Sequence, residues 1–469
     1  MKKRQIFLIL AASAVLTVSS ACSSYAPPPA VISRSSFTDI PKGEHQKLKV
    51  DGKYLTLEEA QNTAVRNNPS FRAQYHAVSA ARAAYYAAFA PYLPSINLGY
   101  SMYHTVTDQA KYSSVNFDSR NLSSNVTASA SWLVFDSFAR EMNLLAAKHG
   151  WKQSEALELD ARRLLMQNVA YAYNNVLLAR EKIRIAQEDM KFQNSQLRES
   201  ELKFEVGSVT LSDVLNFKAY YNSAESDLYT AQYNLAAYKY SLAVLMGLTE
   251  GKIPDDVKFP GMLSNDGEIL SPLPVYLDMA LANRPDLKAY REALEVAKYN
   301  YWSSICAFGP TATFSAELGY GDTRRNSNTP DSRWSVSKSS TFSMTYGFNV
   351  SWNVFNGGAT FFNMRARQAN MFQTDFQLAN TWITVISEVR TAYDYYLTAL
   401  KQVKISQKNV EITRKIRDLV DEEYRAGNTE LVRLNEAQRD LVSNETTLAS
   451  FIIEMHNAKA KLTAVIGGY

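Results

Sequence analysis

The polar and apolar positions of this chain repeat with a period of two in four short segments and with a helical period almost everywhere else. Ile96, Leu98, Tyr100 and Met102 alternate with Ser95, Asn97, Gly99 and Ser101; Val126, Ala128, Ala130, Trp132 and Val134 alternate with Asn125, Thr127, Ser129 and Ser131. Further on, Ala312, Phe314, Ala316, Leu318 and Tyr320 alternate with Thr311, Thr313, Ser315, Glu317 and Gly319. The longest run sets Phe342, Met344, Tyr346, Phe348, Val350, Trp352 and Val354 against Ser343, Thr345, Gly347, Asn349, Ser351 and Asn353. Period two places successive side chains on opposite faces, so each run predicts a strand with one apolar and one small polar face. The predicted strands are 94–104, 122–135, 311–320 and 341–355, near the length of about 9–11 residues that a tilted membrane strand requires. Polar loops at 103–121 and 321–340 would face water. A soluble two-sheet sandwich also alternates, but four strands in a chain of 469 residues are few for one, and the small uncharged polar faces suit a hydrated lumen.

Between Phe138 and Val206 there is no proline and one glycine, Gly150; between Ala359 and Ala426 there is neither. These stretches predict long helices over 138–206 and 359–426, each spanning about 100 Å at about 1.5 Å per residue. Gly207 and Gly427 then stop them as left-handed C-cap residues, and return helices follow over 211–246 and 430–466. Shorter helices open each half, with Pro69 and Pro285 in the first-turn position where a missing N–H costs little. An opening helix plus a return helix nearly matches the long one, so each half supplies two struts of coiled-coil length.

The two halves are copies. Ser131-Trp132-Leu133-Val134-Phe135-Asp136 recurs 220 residues later as Ser351-Trp352-Asn353-Val354-Phe355-Asn356. At the same offset Val169, Ala172, Tyr173 and Leu177 recur as Val389, Ala392, Tyr393 and Leu397. Gly207 and Leu211 recur as Gly427 and Leu431, and Gly247 as Gly467. Asn68-Pro69 and Pro94 match Arg284-Pro285 and Pro310 at an offset of 216. The chain therefore divides into repeat 1 (52–250), a Pro/Gly/Asp-rich linker (251–270) and repeat 2 (271–469).

The first 21 residues have the form of a signal peptide: Lys2, Lys3 and Arg4, an apolar stretch too short to span a membrane, then small residues. Cys22 follows directly. The run resembles a bacterial lipobox, with Ser19 where Leu is usual, and implies a diacylated Cys22 at the head of a lipidated segment 22–51; Ser23 favours outer-membrane sorting. The alternative is an ordinary cleavage site near Ala21. Without the leader the net charge falls from +4 to +1, because three of the 50 basic residues and none of the 46 acids are removed. Nearly neutral overall, the chain offers nucleic acid no electrostatic footing. Two cysteines make no disulfide framework, and five scattered histidines make no metal site. No phosphate loop or nucleophile motif points to an enzyme or a cofactor, and Cys306 reads as an apolar filler.

Four membrane-length strands cannot close a barrel, and an open sheet edge is forbidden in lipid because its backbone groups find no partners. Copies must complete the wall: two give eight strands and three give twelve, and small polar inward residues favour the wider, hollow option. The long helices would continue it as a hollow cylinder, a passive conduit.

The duplicated strand–strand–long-helix unit, the Ser-Trp-x-Val-Phe-Asp/Asn junctions and the Gly-plus-Leu tips resemble the TolC family of outer-membrane efflux channels. Cys22 places the chain nearer the lipoprotein branch serving resistance–nodulation–division pumps. The resemblance implies an α+β membrane protein. Three copies would form a twelve-stranded outer-membrane barrel continuous with a periplasmic α-helical barrel, docked to a periplasmic adaptor and an inner-membrane transporter. It also implies a periplasmic gate, where Asp213 falls on an acidic position, Tyr424 on a restraining tyrosine and Ser212 nearby, with a hydrogen bond expected from Tyr424 to Asp213. In repeat 2, Arg433 stands where a carboxylate is usual, Glu436 remains, and Thr429 replaces a basic residue. The tips Gly207, Leu211, Gly427 and Leu431 are where the resemblance puts the adaptor, and Glu317 is a lumen charge able to tune selectivity. Two other readings remain: the outer component of type I protein secretion, and a lipid-tethered periplasmic coiled-coil scaffold with a soluble sheet.

Overall fold

The computed structural model describes residues 54–109, 117–261, 263, 270–328 and 334–468. The leader 1–21, Cys22 with its segment 22–51, and linker residues 262 and 264–269 lie outside the described residues.

Each half runs through the same series. The first comprises α1 (Leu57–Asn67), α2 (Pro69–Ala87), β1 (Ser95–Gln109), β2 (Phe117–Phe135), α3 (Ala139–Glu205) and α4 (Leu211–Leu245). The second comprises α5 (Leu273–Asn283), α6 (Pro285–Cys306), β3 (Thr311–Asn328), β4 (Trp334–Ser351), α7 (Ala359–Arg425) and α8 (Leu431–Val465). Helices α3 and α7 each have 67 residues, and α4 and α8 each have 35. Among the described residues no helix is long and apolar enough to cross a membrane.

Local chemistry sets the starts. Thr56 and Glu59 form a capping box at α1. The Asn68 side chain accepts from the Phe71 amide to start α2 and donates to the Leu245 carbonyl at 2.9 Å, tying the end of α4 to the opening helices. In repeat 2 the equivalent position is Arg284, buried and held by Asp286 and by Glu388 of α7.

Helix α7 is buried along one stripe, and α3 over a wider arc that also meets repeat 2. Val169, Tyr173, Val176 and Leu177 of α3 pack with Leu55, Leu242 and Met246; Val385, Val389 and Ala392 of α7 pack with Leu287, Leu462 and Val465. The linker does more than join the repeats. Ile253 and Phe259 are buried in the first core, and the Leu55 amide donates to the Lys258 carbonyl at 2.8 Å. Polar contacts stitch repeat to repeat: buried Arg163 donates to the Ala464 carbonyl (3.2 Å), Asn174 to Asn457 (2.8 Å) and Gln438 to Asp189 (2.7 Å). Cys306, expected as a buried filler, is a half-buried free thiol at the end of α6.

The strands form one antiparallel sheet in the order β1-β2-β3-β4, leaving an outer edge on β1 and on β4. They run longer than the alternation predicts, 15 to 19 residues. Ladder pairing continues through Thr105–Gln109, Phe117–Asn121, Gly321–Asn328 and Trp334–Ser340, which the polarity pattern leaves in loops. Main-chain pairing does not need an apolar face, so Ser, Thr, Asn and Arg carry the ladder beyond the alternating zone. At its other end β4 stops at Ser351, short of the expected 355.

Candidate functional site

Pairing register sorts the sheet into two faces. Tyr100, Val126, Tyr320 and Phe342 form one cross-strand row; Leu98, Ala128, Leu318 and Met344 the next; Ile96, Ala130, Ala316 and Tyr346 another; then Trp132, Phe314 and Phe348. These share one face, and Ile96, Leu98, Tyr100, Met344, Tyr346, Phe348 and Val350 are all exposed. So large a continuous exposed apolar surface, with aromatic rows along it, marks an interaction face and not an ordinary water-facing one. From Phe342 to Trp352 it spans about 33 Å of chain at about 3.3 Å per residue, or about 25 Å of height at a tilt of about 40°. The opposite face carries Asn97, Ser129, Glu317 and Thr345 in a single row. Glu317 is exposed there, among hydroxyls and amides.

The strand-to-helix junction is built twice with different residues. Ser137 and Phe138 take left-handed backbone (φ +57° and +72°) before α3; at the equivalent place before α7 stand Gly357 and Gly358 (φ +70° and +86°). Two left-handed residues in series re-aim the chain from β2 into the helix, at a cost that only the glycines avoid. In repeat 1 the strained turn is clamped. Asp136 accepts from the Arg140 amide at 2.9 Å, and the Arg140 guanidinium reaches the carbonyls of Pro91, Leu133 and Val134 and lies 4.9 Å from the Tyr92 ring centroid. In repeat 2 Asn356 and Thr360 replace that clamp. The Asp136…Arg140 spacing of four was a readable sign of it, but the reach of Arg140 to the Pro91 carbonyl, 49 residues away, was not.

The helix tips carry the expected gate residues. Gly207 and Gly427 have φ of +77° and +80°, and Leu211 and Leu431 open the return helices. Asp213 sits three residues into a capping box: its carboxylate accepts from the Thr210 amide (3.0 Å) and hydroxyl (2.8 Å), and its amide donates to Thr210 Oγ1 (3.3 Å). The Thr-x-x-Asp spacing was legible. With the carboxylate turned to its own helix start, no hydrogen bond joins Tyr424 to Asp213 in this chain, contrary to the bond expected from sequence. Tyr424 instead packs edge-on against buried Phe217, with ring centroids 6.2 Å apart, and Lys203 Nζ lies 5.3 Å from its ring. Burial, then the charges of Asp213 and Glu199, push the Tyr424 hydroxyl above its ordinary pKa. Ser212 is exposed beside Asp213. Arg433 pairs loosely with Glu436 across one helix turn (3.8 Å), both exposed, and Thr429 lies one residue before Glu430, the N-cap of α8. Sequence reasoning passed over Phe217 and Lys203, because nothing local says which residues of α3 and α4 face the end of α7.

Twice over, strands of a sheet with one exposed apolar face continue into a helix of about 100 Å. A family model described as outer membrane efflux protein matches residues 61–248 and 276–468, one match per repeat. The alkaline protease secretion protein AprF of Pseudomonas aeruginosa is 24% identical, over 88% of this chain and 83% of its own length. The pyoverdine export outer membrane protein OpmQ of the same species is 25% identical, over 88% and 85%, and the outer membrane protein TolC of Escherichia coli 22%, over 79% and 75%. The Campylobacter jejuni CmeC outer membrane channel shares the fold at a TM-score of 0.75 and 20% identity, covering 88% of this chain and 85% of that one. The open-state MtrE outer membrane channel of Neisseria gonorrhoeae does so at 0.69 and 21%, covering 92% and 98%. The chain belongs to the outer membrane efflux protein family, a TolC-family exit duct for efflux.

Proposed function

We propose that three copies of this chain close a twelve-stranded barrel in the outer membrane, continuous with a periplasmic helical barrel. This duct passively carries small molecules handed over by a periplasmic adaptor and an inner-membrane pump of the resistance–nodulation–division type. The observation that carries the reading is the pair of edges, on β1 and β4, that no strand among the described residues pairs, in a sheet whose apolar face is exposed; in lipid such edges must be paired by neighbouring copies. Twelve strands leave an aqueous channel where eight would be filled by side chains. Apolar stripes on the helices support the same assembly. Tyr229, Tyr233, Tyr240 and Val244 of α4, and Phe372, Phe376 and Ile383 of α7, are exposed at spacings of four and seven, the seam of a coiled coil.

In this assembly the tips at Gly207, Leu211, Gly427 and Leu431 meet the adaptor. Asp213, Ser212, Tyr424, Arg433 and Glu436 surround the periplasmic aperture, Glu317 faces the lumen, and an acylated Cys22 anchors the chain at the membrane. The restraint at the aperture is the packing of Tyr424 on Phe217 together with the capping of α4 by Asp213. Single-channel recording of purified oligomer, paired with a mass measurement, tests the reading. We expect three chains per particle and an ohmic pore; a monomeric or non-conducting particle overturns it. Cys22→Ser protein should stay membrane-integral, whereas release into the soluble fraction would point to the tethered scaffold.

A further inference from the structure

We infer that the outer rim of the sheet binds the phosphate groups of outer-leaflet lipid headgroups, through Arg324 and Lys338. The inference rests on the membrane-seated reading above, which puts the helices in the periplasm and the far ends of the strands outside.

Register places His104, Leu122, Arg324 and Lys338 in one cross-strand row. Counting in twos from Tyr320 and Phe342, that row lies on the same side of the sheet as the apolar band, two same-face rows beyond the Tyr100–Tyr320–Phe342 row, with Val106, Val336 and Trp334 further out on that face. The separation is about 13 Å along a strand, or about 10 Å of height at a tilt of about 40°. The row thus stands just past the hydrocarbon, at the level where headgroups lie. Arg120 occupies the next row on the same face, opposite Asn326.

Arg324 and Lys338 are directly opposite one another and both exposed. Opposed residues on one face bring their Cβ atoms to about 5 Å, and like charges so placed repel. Among the described residues neither has a carboxylate partner. One row nearer the apolar band, Asp322 accepts from the Tyr320 hydroxyl at 3.1 Å and the Ser340 hydroxyl at 2.6 Å. A phosphate placed between a guanidinium fork and an ammonium would turn the repulsion into two charge-assisted hydrogen bonds. Because the pair sits on the lateral face directly above an apolar band, the anion that reaches it is one carried by a lipid. Arg325, the next residue, occupies the opposite face, where its Nε meets Ser119 Oγ at 3.5 Å, and serves as an internal control.

The test uses the full-length oligomer in mixed micelles with bisphosphorylated lipid A, reading bound lipid per oligomer by native mass spectrometry. R324Q/K338Q should bind lipid A roughly tenfold to thirtyfold more weakly than wild type, R325Q should match wild type, and lipid A stripped of phosphate should bind weakly to all. Equal binding by wild type and R324Q/K338Q, or undiminished binding of the dephosphorylated lipid, overturns the inference. So does full displacement by millimolar inorganic phosphate, which would mark a free-ion site. Bilayer conductance of the same preparations separates the two readings. A conducting oligomer that fails the lipid arms sinks this inference alone, whereas a wild type without pores sinks the membrane assembly beneath it.

Discussion

The indole nitrogen of Trp132, at the end of β2, donates to the carbonyl of Tyr92, in the turn that precedes β1, at 3.0 Å. In repeat 2 Trp352 donates to the carbonyl of Phe308 at 2.9 Å. Each tryptophan thus ties the end of a strand to the turn that leads into the sheet.

Trp132→Phe keeps an aromatic ring, smaller than indole, and deletes the donor, leaving the Tyr92 carbonyl to find another. A loss of about 1 kcal/mol is expected, read as a lowered midpoint for denaturant unfolding of the detergent-solubilised protein. An unchanged midpoint would mean that the bond adds nothing to the junction.

Two glycines with similar backbone should respond unequally to alanine. Gly247 has φ +68°, and a Cβ there would stand 2.5 Å from the Asn67 carbonyl oxygen, inside the turn between α1 and α2; Gly207 has φ +77° with nothing within 4 Å. Gly207→Ala should cost about 1 kcal/mol for the left-handed backbone alone. Gly247→Ala should cost roughly 2–4 kcal/mol, because backbone must also shift. Equal losses in thermal unfolding would contradict the difference in packing.

Tyr173 is buried in the first core, its hydroxyl donating to the Leu55 carbonyl at 2.8 Å. Burial above all, with the charge of Glu59, pushes its pKa up to about 12, against about 10 in an unfolded chain. The folded protein therefore holds this proton more tightly, and its stabilising contribution is intact below pH of about 10 and lost as pH climbs to about 12. Unfolding free energy measured between pH 9 and 12 should fall by about 2–3 kcal/mol more in wild type than in Tyr173→Phe.

At the tips, Phe217→Ala removes the ring on which Tyr424 rests, and Asp213→Ala removes the carboxylate half of the capping box at α4. Both should raise single-channel conductance in planar bilayers, whereas Tyr424→Phe, which keeps the ring contact, should change it little. Conductance raised by Tyr424→Phe alone would show that the hydroxyl, rather than the packing, holds the aperture. Asp213→Ala should also cost about 1 kcal/mol of stability from the lost cap.

Much of this was legible locally. The lengths of α3 and α7 follow from stretches free of helix breakers, the stops from Gly207 and Gly427, and the faces of the sheet from strict alternation. The tip residues of the proposed gate were legible only as a set. Asp213 could be placed near a helix start, but its commitment to Thr210 and the turn of Tyr424 toward Phe217 depend on how α3, α4 and α7 pack at one end. The linker looked like a spacer because Ile253 and Phe259 are isolated apolar residues among Pro, Gly and Asp; their burial requires the surface that α3 and α4 make together.

By itself the sequence determined the repeat, the type of each element and the apolar side of the strands, because those rest on periodicity and backbone preference, which act over a few residues. Only the tertiary structure decided the register that opposes Arg324 to Lys338, the extension of the ladders past the apolar zone, and the carbonyls that Arg140 and Trp132 reach. Those relations lie beyond what a local pattern encodes, and the free energy that selects them comes from pairing and packing whole elements at once.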